Sequence, residues 1–306
     1  MKNRILEKSR KIGILLVVFT AAWGMTAFPC WAGEPMQVFV SILPQKYFVE
    51  QIGGEKVDVN VMVLPGESPA VYEPAPKQMV ALTKSSIYFA VGVPFERTWL
   101  KKIASANPDM AVVHTDADIR KVPMETRHSH DEDGHGHDHG TGDDAALDPH
   151  VWMSPPLVML QARRILTALE KADPENRGVY ETNYKAFIRE LVDLDADIRS
   201  LFKGKQGMRF MVFHPSWGYF ARAYGLVQIP VELEGKAVKS SRLVKLIEKG
   251  KELGIDAVFI QPQFSVKSAE IVAGEIGGAV VQADPLSENW ARNLRTVAER
   301  FGKALK

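Results

Sequence analysis

The chain has 306 residues, 38 Lys/Arg against 37 Asp/Glu, a formal net charge of +1 with His neutral, and one cysteine. That balance argues against nucleic acid as a partner, and a lone thiol excludes a disulfide framework or a thiolate metal cage. The length is enough for two lobes, each with its own core.

The first residues read as a secretory signal. Met1 to Lys11 carries five basic residues, the apolar run "IGILLVVFTAAWGM" follows, and "PCWAGE" offers small residues at Cys30 and Ala32 for cleavage before Gly33. The run is too short for a convincing spanning helix, and no later run could cross a bilayer. Removing residues 1–32 takes away five Lys/Arg and one Glu, so 38 and 37 become 33 and 36, a net charge of about −3. Cys30 leaves with the signal, so a metal on the mature chain must be held by N and O atoms. A lipid anchor on Cys30 is the competing reading, although Phe28 and Pro29 stand where a lipobox has small residues.

Next, "MQVFVSIL", "VDVNVMVL", "SSIYFAVG" and "MAVVHT" predict strands. Between them, "QKYFVEQIGG", ending in a glycine pair, and "PAPKQMVALTK", with proline near its start, predict helices. This alternation predicts a parallel or mixed sheet.

The stretch "RHSHDEDGHGHDHGTGDDAALDPHVWMSP", Arg127 to Pro155, holds six of the eight histidines. Residues 128–144 contain no apolar side chain and predict a mobile loop, because such a segment cannot bury enough surface to offset its ordering entropy. Imidazoles beside carboxylates bind Zn²⁺ or Cu²⁺, here in many equivalent partial sites, which suits acquisition or buffering of metal. A solvated polar insertion with no role is the plain alternative. His150 stands where the sequence turns apolar again, in "LDPHVWMSPP". A histidine beside Val and Trp is more often a core or surface residue than a ligand, and its spatial neighbours must decide.

Residues 174–204, "PENRGVYETNYKAFIRELVDLDADIRSLFKG", place Tyr180, Tyr184, Phe187, Leu191, Leu194, Ile198 and Leu201 at alternating spacings of four and three. One long helix results, roughly 40 Å at 1.5 Å per residue, stiffer than a Gly/Ser linker. The second half repeats the first theme. "MRFMVFH", "LVQIPVEL", "DAVFIQP" and "AVVQAD" predict strands, with helices at Trp217 to Tyr224, Ser241 to Leu253 and Ser268 to Ile276. The expected fold is α/β, with two Rossmann-like lobes (33–173 and 205–306) joined by the rigid helix 174–204 and a cleft between them.

His214 closes a predicted strand and is followed by Pro215, suited to the first turn of a helix. Asp284 does the same before Pro285, where a helix N-cap is the other use of such an Asp. Ligands in open α/β sheets sit outside the carboxyl ends of strands, and two histidines with a carboxylate suit a borderline divalent metal.

The blocks "VFVSILPQKYFVEQIGG", "VLPGESPAVYEPAPKQM", "YFAVGVPFERTWL", "LDPHVWMSP", "FHPSWGYFARAYGL", "ELEGK" and "ADPLSENWARNL" together resemble the periplasmic zinc/manganese-binding receptors of ABC transporters. The likeness runs in order through nearly all of the mature chain. It implies a non-catalytic, monomeric periplasmic protein of two lobes and one rigid helix, which carries a metal between the lobes and delivers it to a membrane permease. It also implies a His/Asp-rich loop ahead of the second metal histidine, as the tract provides. Zinc is expected over manganese, which prefers more oxygen ligands.

Residue by residue, the resemblance assigns His150, His214 and Asp284 as metal ligands. The family's first histidine falls at Ala70, in "SPAVYEP", where a methyl group cannot coordinate. Water, a histidine from the tract, Glu67 or another nearby carboxylate, or loss of ordinary metal binding are the alternatives. Glu73 and Glu234 fit hydrogen-bonding or structural roles better than ligation. An adhesin or extracellular metal buffer would use the same fold without a permease. A zinc hydrolase would use an open coordination position, but the chain lacks a His-Glu-x-x-His helix.

Overall fold

The computed structural model describes residues 34–124, 147–231, 240–255, 257–264 and 266–305. The expected signal 1–32 with Cys30, the tract 128–144 and Glu234 lie outside these residues. Pro35–Lys306 forms one compact unit.

In chain order the first lobe runs β1 (Met36–Val40), α1 (Leu43–Gly53), β2 (Val57–Val61), α2 (Pro76–Leu82), β3 (Ile87–Ala90), α3 (Pro94–Ala106) and β4 (Ala111–His114). Its sheet is parallel throughout, in the order β2-β1-β3-β4. The central strand β3, "IYFA", is buried at every position, as expected of a parallel strand covered on both faces. Then come α4 (Pro155–Ala172) and α5 (Arg177–Leu201).

The second lobe runs β5 (Arg209–Val212), α6 (Gly218–Tyr224), β6 (Val227–Pro230), α7 (Ser240–Glu252), β7 (Ala257–Ile260), α8 (Val266–Ile276), β8 (Ala279–Gln282) and α9 (Trp290–Ala304). Its parallel order, β6-β5-β7-β8, repeats that of the first lobe. Each sheet therefore has a switch point, between β1 and β3 and between β5 and β7, where successive connections leave in opposite directions and open a crevice. Helices α3, α4 and α9 add to the predicted elements. Among the described residues no helix is long and apolar enough to cross a membrane.

The predicted long helix is α5, preceded by a 3-10 turn at Pro174–Asn176. Its 25 residues span about 38 Å. Tyr180, Phe187, Leu191, Leu194 and Ile198 are buried as the stripe requires, Tyr184 is half-buried, and Leu201 at the last turn is 38% exposed. The helix packs on α1 and α4 on one side and α9 on the other, so a single core runs from Val38 through Leu191 to Phe301. A second cluster, including Met211, Val258, Leu246 and Val272, fills the outer layer of the second lobe.

Two buried tryptophans tie the lobes at the bottom of the cleft. Trp152 Nε1 donates to the carbonyl of Pro285 at 2.8 Å, and Trp290 Nε1 donates to the carbonyl of Trp152 at 2.9 Å. Trp290 also stands edge-on to Phe48, with centroids 5.0 Å apart. Trp290→Phe should lower the unfolding free energy of the metal-free protein by about 1–3 kcal/mol, because it leaves the Trp152 carbonyl unpaired in the interior. Trp290→Ala should cost about 3–5 kcal/mol through the cavity it opens. Urea denaturation measures both, and a Phe variant as stable as wild type would mean that the indole N–H contributes nothing.

Candidate metal centre

The second lobe presents His214 just beyond its switch point. Phe213 N extends the ladder to Phe259 O at 2.7 Å, and the next residue turns out of the sheet. Gln261, the first residue after β7, fixes that turn. Its Nε2 donates to His214 O at 2.6 Å and to Ser216 Oγ at 2.8 Å, while His214 N donates to its Oε1 at 3.3 Å. Pro215 therefore does not open a helix. Side chains capture the backbone here, Trp217 N donating to Gln228 Oε1 at 2.8 Å, and α6 starts only at Gly218. The His214 ring stacks on Phe264, with centroids 5.4 Å apart.

His150 comes from the first lobe, at the start of the 3-10 turn Val151–Met153, and is 8% exposed. Asp148 holds it at two points, its Oδ1 accepting from His150 N at 2.9 Å and bonding Nδ1 at 2.7 Å. The two imidazoles lie 5.4 Å apart, centroid to centroid, at 73°. They share a cavity of about 80 Å³ whose walls include Pro69, Ala70, Phe264 and Leu286. The walls are largely apolar, so electrostatic interactions inside are weakly screened.

Ala70, from the first lobe, thus borders the same cavity as the two histidines. Its loop is held on both sides. Phe95 N donates to Pro69 O at 3.1 Å, and Gln78 Nε2 donates to Met62 O at 2.6 Å while its Oε1 accepts from the Tyr72 hydroxyl at 2.7 Å. Glu67 and Glu73 are both exposed.

Asp284 occupies a different position from the two histidines. It lines an adjoining pocket of about 210 Å³ with Ser287 and Glu288, and Gln263 and Leu286 border both spaces. Its Oδ1 accepts from Leu286 N at 2.9 Å and its carboxylate also bonds the Gln263 side chain. Asp284 is thus an Asx-type turn residue, with no helix following until Trp290, and the N-cap alternative does not apply. Burial pushes its carboxyl up from the ordinary value, and the Leu286 N–H and Gln263 bonds only partly oppose this. Among the described residues no three His, Cys, Asp or Glu side chains converge as a metal cluster. The structure brings His150 and His214 together and leaves Asp284 on the adjoining pocket, tethered by its own turn.

Asp148, Gln261, Gln263 and Phe264 are absent from the residues singled out in the sequence. Asp148, two residues ahead of His150 in "LDPH", was legible as a potential orienting partner. The other three depend on which strands are neighbours.

Comparison with known proteins agrees with this architecture. The zinc-uptake complex component A periplasmic (ZnuA) family model matches residues 38–304. The high-affinity zinc uptake system protein ZnuA of Bacillus subtilis (strain 168) is 30% identical over 247 residues, 80% of this chain and 76% of that protein. A crystal structure of ZnuA superposes with a TM-score of 0.80 at 40% identity, covering 88% of this chain and 99% of that one. A zinc-bound deletion mutant of ZnuA gives 0.79 at 40% identity, covering 89% and 98%. With one family model spanning both lobes and the helix between them, the chain belongs to the ZnuA family of periplasmic zinc-uptake components.

Proposed function

We propose that this protein is a zinc-capturing solute-binding receptor, which takes Zn²⁺ into the cleft between its lobes and hands it to the membrane permease of an ABC importer. The observation that carries the reading is the meeting of His150 and His214, one from each lobe, in a small apolar cavity at the β5/β7 switch point. The names of the relatives support zinc as the cargo. Neutral imidazoles also favour zinc over manganese, which prefers more oxygen ligands. The reading includes export through cleavage before Gly33, work as a monomer in the periplasm, and a division into 33–173, 174–204 and 205–306.

In this reading His150 and His214 replace part of the hydration shell of the ion, and Asp284 leaves its turn to supply the third donor and the negative charge. Water completes the set on the side of Ala70, as in zinc sites that keep an open position. Docking on the permease loosens the ligand shell and releases the ion. The tract 128–144 raises the local supply of metal through weak additional sites.

Metal content and chelator competition on the chain from Gly33, with and without residues 128–144, test the assignment. His150→Ala and His214→Ala should each abolish the tight equivalent in the shortened protein. Affinity should also fall as the pH drops from about 7.5 to about 5.5, because protons compete with the ion for neutral imidazole. Unchanged tight binding in both variants would remove the site.

Ala70→His should tighten zinc binding in the shortened protein by adding a fourth protein ligand, while deletion of 128–144 alone leaves the tight site nearly unchanged. If a tract histidine fills that position instead, the deletion itself weakens the site and Ala70→His restores it, so the two changes are strongly non-additive in calorimetry.

Asp284→Asn separates binding from stability. A carboxyl whose folded pKa is raised contributes stability fully below its unfolded pKa and loses that contribution as pH rises through the folded value. Ionisation of Asp284 therefore costs the folded, metal-free protein stability relative to the unfolded chain. Asp284→Asn should raise the urea midpoint of the metal-free protein at pH 7, a gain that narrows as pH falls toward the ordinary carboxylate range, and should weaken zinc binding. A less stable metal-free variant at pH 7 would contradict the burial argument.

A further inference from the structure

One side chain of the second lobe holds both ends of the segment that leads into His150. Val122 and Asp148 flank the histidine-rich stretch and are bonded to each other, Asp148 N donating to Val122 O at 2.8 Å. The Tyr219 hydroxyl, on α6, accepts from Val122 N at 3.1 Å and donates to Asp148 O at 3.0 Å. Tyr219 is buried, and burial pushes its phenol up to about 12, so the hydroxyl keeps its proton at neutral pH.

The residue before it acts on the other end of Asp148. A Cβ on Gly218 would stand 2.9 Å from Asp148 Oδ2, so only glycine leaves room for the carboxylate where it now lies. Helix α6 thus holds the Asp148 carbonyl through Tyr219 and, at Gly218, leaves the room in which its carboxylate lies. An ionised carboxylate can only accept hydrogen bonds. The 2.7 Å bond from Asp148 Oδ1 to His150 Nδ1 therefore puts the proton of neutral His150 on Nδ1 and leaves the Nε2 lone pair for the cleft.

We propose that Tyr219 and Asp148 are positioning residues for metal capture: α6 of the second lobe sets the Asp148 carboxylate, which holds the imidazole of the first lobe in the Nδ1–H form. The metal ligand of one lobe is then prepared by the packing of the other. This rests on the reading of His150 as a zinc ligand.

The test uses the chain from Gly33, metal-free and labelled with ¹⁵N-histidine. The His150 ring signals are assigned by their loss in His150→Ala, and their ¹⁵N shifts report the tautomer. Wild type should show Nδ1–H. Tyr219→Phe and Gly218→Ala should each mix the tautomers and weaken the tight zinc equivalent about tenfold or more, within the ~10–100-fold range for groups that orient metal ligands. Tyr224→Phe removes a phenol from the same helix that bonds Asp195 instead, and should leave both tautomer and affinity unchanged. Should either α6 variant fail to fold, Asp148→Asn, which keeps the side-chain shape, should reproduce the loss of affinity.

An Nε2–H tautomer in wild type overturns the proposal outright. So do wild-type tautomer and affinity in Tyr219→Phe and Asp148→Asn, while loss of the tight equivalent in His150→Ala would leave the zinc reading standing. Tight binding that survives His150→Ala instead defeats the ligand assignment itself.

Discussion

The cleft depends on the two indole-to-carbonyl bonds at its bottom. Trp152 belongs to the turn that carries His150, and it donates to Pro285 in the turn that carries Asp284. Trp290, four residues beyond Leu286, donates back to Trp152. Both rings are buried, so breaking either bond would strand a polar group in the interior. The turns that carry His150 and Asp284 are thus held in register by the same pair of side chains. With α5 packed along both lobes, this leaves little freedom for a wide hinge motion. Change on metal binding is better placed in side chains and rim loops than in the separation of the lobes.

That rigidity makes the chemistry of the walls matter. The cavity around the imidazoles is lined mostly by Pro, Val, Met, Leu and aromatic residues, with His150 held by Asp148 and His214 by its stack on Phe264 and the Gln261 bonds to its backbone. The Asp284 carboxylate lies outside this cavity, on the adjoining pocket. Burial raises its pKa, and it turns to Leu286 N–H and Gln263 for partial compensation.

Position 70 is where the chain departs from the pattern that the resemblance implies, with alanine in place of a histidine. The loop around it is well fixed, by Phe95 on Pro69 and by Gln78 on Met62 and Tyr72. Ala70, itself exposed, borders the same cavity as the two histidines.

The sequence by itself determined everything that local periodicity and punctuation can encode. Strand-length apolar runs separated by helical segments gave both α/β lobes, the four-and-three spacing from Tyr180 to Ile198 gave α5, and the ordered blocks from Val38 to Leu294 gave the family. It also exposed Ala70, because an identity at one position needs no fold to be read. The tertiary structure alone decided what meets what. His150 and His214 become neighbours only when two sheets and a helix have packed, and Gln261 reaches His214 only because β7 lies beside β5. Pro215 looked suited to a first helical turn, but Gln261 and Gln228 bind the backbone there, and α6 begins at Gly218, one residue after its predicted start at Trp217. Asp284 looked like either a ligand or an N-cap, and its own turn with Leu286 holds it on the neighbouring pocket. The meeting of the histidines and the Gln261 and Gln228 bonds join residues distant in sequence, whose partners are fixed by packing rather than by the local pattern.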